Sequence, residues 1–134
     1  VISSKLALRD VDGDKIFELI EDFILEYKGY ALTCPKGMHT DGASIPRFFW
    51  RIIGSPLMGK YRRACIPHDA GYKGVLVVRN ADGTQLTVGR LWIDTMFHRL
   101  MLEHGVRRWR AQLMYRAVRY FSHTYKGSKG TSEG

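Results

Sequence analysis

Two amphipathic segments of helical period, 89–104 and 106–123, are separated by a single glycine, Gly105. No other feature of the chain constrains its fold as tightly. The first segment stops at that glycine, and so short a loop makes the two helices antiparallel neighbours. The first helix carries Asp94 inside the otherwise apolar stretch LWIDTMF. An acid there is costly to bury unless paired, and an imidazole N–H is a suitable partner. The second helix has Trp109, Leu113, Tyr115, Val118 and Phe121 among its bulky residues.

Upstream, VLVVRNADGTQLTV reads as a β-hairpin, two β-rich runs around Asp82-Gly83. The front third is less direct. Ile16, Phe17, Leu19, Ile20, Phe23, Ile24 and Tyr27 suit a helical stripe, yet the run is rich in β-branched and aromatic residues. A glycine turn and a second extended run, KGYALTCP, stopping at Pro35, favour a hairpin or small antiparallel sheet. After the loop KGMHTDGAS, Pro46 suits the first turn of a short helix through RFFWRII, capped by Ser44 and ended by Gly54. SPLMGKYRRACIPHDAGYKG reads as one helix closing at Gly74. Pro67 inside it displaces the bond to the carbonyl of Arg63 and predicts a kink before His68. The fold class is α+β and helix-dominated, with a β-sheet at the front and a hairpin between helices. One domain is expected over 1–125, followed by a flexible Gly/Ser/Lys tail, 126–134.

A formal net charge of +8 on 134 residues favours polyanionic partners: an anionic phospholipid membrane, nucleic acid or an acidic protein. No helix-turn-helix, zinc-finger or RNA-binding signature points to nucleic acid specifically. No apolar run approaches the ~20 residues that span a bilayer, and the opening VISSKLALRD lacks the charged-then-apolar order of a signal peptide. Cys34 and Cys65 are too few for a disulfide scaffold, and both one bridge and two free thiols fit them.

The chemistry concentrates in PHDAGY. On a helix His68 and Tyr72 share a face, four residues apart, while Asp69 points about 100° away. In the loop before it, Asp41 precedes Gly42, where a carboxylate and a backbone carbonyl can face one point. Hard oxygen ligands of that kind suit calcium. His68 has no second histidine at a spacing that would make a zinc set.

The order TDGASIP, then GSPLMGKYRRACIPHDAGYK, then RLWIDTMF resembles a phage- and prophage-borne family of unknown function. That likeness covers roughly 16–122. The same order is similar to the core of bacterial and fungal phospholipase A2, in which a loop Asp precedes Ala-Cys-x-x-His-Asp-x-x-Tyr and a later Ile-Asp-x-x-Phe. Ala64, Cys65, His68, Asp69 and Tyr72, then Ile93, Asp94 and Phe97, stand in register with it.

The resemblance implies a phospholipase A2-like core and residue roles. His68 is the implied general base, Asp94 orients it, and Tyr72 supports Asp94. Asp41, the carbonyl of Gly42 and Asp69 are the implied calcium ligands. The implied function is a calcium-dependent phospholipase-like hydrolase, with an anionic membrane as partner. A non-catalytic phage structural or host-interacting protein on the same scaffold is the alternative. Two positions depart from the pattern: Ala43 stands where the group has the cysteine that pairs with its helix cysteine, and Pro67 intrudes beside the base.

Two further readings concern single segments. RFFWRII is either an interfacial apolar patch or, by the usual burial of aromatics, mostly core. His39, His68-Asp69 and Asp94 also follow the order of metal-dependent phosphohydrolases, whose all-helical fold the two hairpin signals count against.

Overall fold

A computed structural model describes residues 5–11, 16–40, 45–46, 49–53 and 59–122. The front third is extended, as its β-branched and aromatic content favours. Strands β1 (Leu8–Asp10), β2 (Phe17–Leu19) and β5 (His39–Thr40) form an antiparallel sheet in the order β1-β2-β5. Strands β3 (Phe23–Tyr27) and β4 (Tyr30–Cys34) form a hairpin whose Tyr27 faces Tyr30. Lys28 and Gly29 make its two-residue turn with φ of 51° and 83°. Positive φ at both positions matches the twist of the strands, and the glycine accepts it without strain.

The second hairpin forms around Gly83, as expected, from β6 (Val77–Arg79) and β7 (Gln85–Leu86). Asn80 Oδ1 accepts the Asp82 and Thr84 N–H groups and closes the turn. The two hairpins are not separate pieces. β4 pairs with β6, giving one four-stranded antiparallel sheet in the order β3-β4-β6-β7.

Of the expected helix through RFFWRII, residues 49–53 are described. Phe49 donates its N–H to the Pro46 carbonyl at 3.0 Å, and α1 spans Trp50–Ile53. The proposed cap Ser44, together with Phe48 and the stop Gly54, lies outside the described residues. Phe49 and Trp50 are half-buried and packed against the core, which favours the core reading for those two rings.

A 3₁₀ turn (Gly59–Tyr61) leads into α2 (Arg62–Tyr72). The helix runs through Pro67 without interruption. Every residue of α2 from Ala64 to Tyr72 is buried, because the helix lies between α3 and β4 and meets β5 as well. Helices α3 (Arg90–Glu103) and α4 (Arg108–Phe121) follow, split at Gly105 with φ of 89°. α3 packs on both α2 and α4, and Trp92 joins it to the sheet, edge-to-face with Tyr27 at 5.4 Å and Tyr30 at 5.6 Å.

The α2–α3 crossing depends on one missing side chain. A Cβ on Gly71 would stand 2.8–2.9 Å from three side-chain carbons of the fully buried Ile93. Overpacking of this kind costs about 1–3 kcal/mol, and better helix propensity returns about 0.5–1. Gly71→Ala should therefore lower the unfolding free energy by about 1–2 kcal/mol in urea denaturation. Combined with Ile93→Ala, which removes the clashing carbons, it should cost much less than the sum of the two single changes. Additive effects would mean the helices are not in this contact.

Candidate active site

Three helices deliver four side chains to one point. His68 and Tyr72 come from one face of α2, Asp94 from α3 and Arg119 from α4. His68 Nε2 lies 2.7 Å from Asp94 Oδ1, and the Tyr72 hydroxyl donates to the same carboxylate at 2.8 and 3.0 Å. Arg119 Nη1 donates to Asp94 Oδ2 at 2.9 Å. The acid foreseen as costly within LWIDTMF is thus held by three partners, the condition for burying a carboxylate.

Aromatic packing fixes the imidazole plane. The His68 ring is 4.4 Å from Tyr72 and 4.5 Å from Phe97, centre to centre. The Arg90 guanidinium sits 4.7 Å over the Tyr72 ring and donates to the Ser122 carbonyl, tying α3 to the end of α4. With Nε2–H donated to Asp94, the tautomer places the lone pair on Nδ1. His68 and Asp94 are both 0% exposed.

Asp69, one residue along α2, is buried as well. Its charge acts on the Cys34 and Cys65 thiols. Both cysteines are buried and free, so no bridge joins them. Burial pushes both thiols far above their ordinary value of 9.0, with the Asp69 charge adding to the push. Burial likewise pushes the Tyr72 phenol up, ahead of the charge of Asp94.

A group that holds its proton more tightly when folded stabilises the protein fully below its unfolded value, and loses that contribution as pH rises towards its folded one. Cys34, Cys65 and Tyr72 all have this sign. Stability should hold to about pH 8. It should then fall by roughly 1.4 kcal/mol per pH unit for each such group that ionises in the unfolded chain. Urea denaturation between about pH 7 and pH 10 reads this slope, and a flat profile would contradict the burial of these groups.

The structure therefore brings His68, Tyr72 and Asp94 together and places Asp69 on the same helix. The loop residues Asp41 and Gly42 lie outside the described residues. Thr40, which precedes them, is buried at the end of β5, and β5 packs on α2. His39 is exposed on β5 opposite Glu18, outside the Asp94 cluster. Among the described residues no group of three or more His, Cys, Asp or Glu forms a metal cluster. A surface cavity of about 340 Å³ is lined by Tyr27, Lys28, Tyr30, Leu91, Trp92 and Thr95, none of them from the Asp94 cluster.

Arg119 is the site residue that sequence reasoning missed. Its signal was indirect: an acid inside an apolar helix calls for a cation, and the neighbouring helix is rich in arginine. Which arginine answers depends on the register of α4 against α3.

Fold and site together define an α+β protein with a buried His–Asp–Tyr–Arg cluster built across three helices. The chain belongs to the family described as "Protein of unknown function (DUF1353)", whose model matches residues 17–118. Two relatives come from Sinorhizobium fredii (strain NBRC 101917 / NGR234). Uncharacterized protein y4jT is 37% identical over 110 residues, covering 81% of this chain and 30% of the relative. Uncharacterized protein y4iH is 31% identical over 123 residues, covering 89% of this chain and 46% of the relative. The chain thus spans less than half the length of either relative. No solved structure matches the chain.

Proposed function

We propose that this chain is a calcium-dependent, phospholipase A2-like hydrolase of phage origin, attacking a lipid ester at an anionic membrane surface. The observation that carries the reading is the His68 Nε2–Asp94 contact at 2.7 Å, with Tyr72 on the same carboxylate. Asp94 holds the imidazole in one tautomer and steadies it when it gains a proton. His68 Nδ1 takes a proton from water as that water attacks the ester carbonyl, then returns it to the leaving alcohol. Tyr72 and Arg119 keep Asp94 in place while this happens.

The residues present fit calcium better than a softer metal. Asp69 offers a buried carboxylate on the helix against which β5 packs, and the chain leaves β5 directly into Asp41 and Gly42. The nearby thiols are pushed up, away from the thiolate form that soft metals take. Asp41, the Gly42 carbonyl and Asp69 would hold the ion. When bound, it supplies a positive charge that polarises the ester carbonyl.

One observation favours a second reading. Both His68 and Asp94 are wholly buried, and Arg119 already pairs with the acid, which suits a structural network in a non-catalytic phage or host-interacting protein. Fatty-acid release from vesicles of phosphatidylglycerol and phosphatidylcholine, with calcium or chelator, separates the two. Calcium-dependent release by wild type that is lost in His68→Ala supports the hydrolase. No release from folded wild type overturns it and leaves the scaffold reading.

A further inference from the structure

The most exposed large apolar side chains of the described residues are Tyr120 at 71% and Trp109 at 58%, and both lie on α4. Eleven residues apart, they fall on nearly the same line of the helix surface, separated by about 16 Å along its axis. Exposed Arg116 and half-buried Leu113 lie between them on that face, and exposed Arg108 borders it. The opposite face, with Ala111, Met114, Ala117 and Val118, is buried against the protein. α4 contains no acidic residue, and the sequence holds none from 104 to 132.

We propose that the outward face of α4 docks flat on an anionic phospholipid bilayer, with Trp109 and Tyr120 seated at headgroup depth and Arg108 and Arg116 on the lipid phosphates. Tryptophan and tyrosine favour that depth because one end of each ring is apolar and the other polar. A basic, aromatic-bearing helix face lies in the interface plane for the same reason. The charge is complementary to an anionic surface and has no acid on the helix to oppose it.

Single-stranded nucleic acid fits less well. Arg110 already covers the Trp109 ring at 5.2 Å, which occupies a face that a base would stack on. The indole edge and its N–H stay available to headgroups. The docking face also adjoins the Asp94 cluster in sequence, since Arg119 on Asp94 immediately precedes Tyr120. The choice of a bilayer rests on the lipid-ester reading above, and the surface is new to it.

The test is sedimentation of the full chain with equimolar phosphatidylglycerol–phosphatidylcholine vesicles, against pure phosphatidylcholine. Wild type should bind the anionic vesicles, with a blue shift in tryptophan fluorescence, and lose affinity as salt rises. Trp109→Ala/Tyr120→Ala should weaken binding at least about tenfold with unchanged circular dichroism. Arg108→Gln/Arg116→Gln should weaken it and flatten the salt dependence. Wild type that ignores anionic vesicles, or variants that bind as wild type does, overturn the proposal. Tighter binding to a single-stranded oligonucleotide, abolished by the same variants, also overturns it. Hydrolysis is scored separately on a monomeric short-chain phospholipid: vesicle binding without hydrolysis sinks only the enzyme reading, and hydrolysis without vesicle binding sinks only the docking face.

Discussion

Replacing His68 by Ala should abolish calcium-dependent fatty-acid release, a fall of about 10²–10⁴-fold in rate, which is the usual contribution of a general base. The expectation follows from the tautomer. Nε2 is committed to Asp94 at 2.7 Å, so the imidazole has one nitrogen for holding its position and one for accepting a proton. Alanine removes both, and it also leaves a gap beside Phe97 and Tyr72. His68→Gln is the cleaner companion. Its amide N–H can still reach Asp94, yet it has no nitrogen lone pair to take a proton. The Gln variant should unfold near the wild-type midpoint and remain inactive. A Gln variant as active as wild type would remove His68 from the reaction.

Asp94→Ala should cost about 3–5 kcal/mol of unfolding free energy, the range for breaking a buried ion pair by deleting one partner. Asp94 is the common acceptor of His68, Tyr72 and Arg119, so its loss strands three polar groups contributed by two other helices. His68 and Tyr72 are buried, at 0% and 1% exposed, so their donors to Asp94 lose an acceptor inside the protein. Asp94→Asn keeps the volume and one acceptor oxygen, and should cost less. Tyr72→Phe should cost about 1–2 kcal/mol in wild type and close to nothing in the Asp94→Ala background, because the bond it deletes is already gone. A loss below about 0.5 kcal/mol for Asp94→Ala, the size of a surface change, would contradict the buried cluster.

A buried cluster that is purely structural gives the Asp94 result without the His68 result. A hydrolase gives both. The chain covers only part of its relatives, so substrate choice belongs to the proposal tested on vesicles.

Much of the local structure was legible because short-range chemistry decides it. Lys28-Gly29 and Asp82-Gly83 mark turns by what their backbones tolerate. Gly105 separates α3 from α4 where the helical pattern breaks, and the i, i+4 spacing of His68 and Tyr72 puts both on one face of α2. The need of Asp94 for a partner could be read from its apolar neighbours alone.

Tertiary structure decided the rest, and each case involves residues far apart in the chain. The pairing of β4 with β6 merges two hairpins that each look complete in sequence. Arg119 reaches Asp94 because the α3–α4 crossing sets which turn of α4 lies over it. Gly71 matters only because Ile93 stands against it. Asp69 acts on Cys34 because α2 packs on β4. Local propensity is set by neighbours a few residues away. The register between elements is set by how their side chains interlock, and no window of sequence contains both sides of that contact.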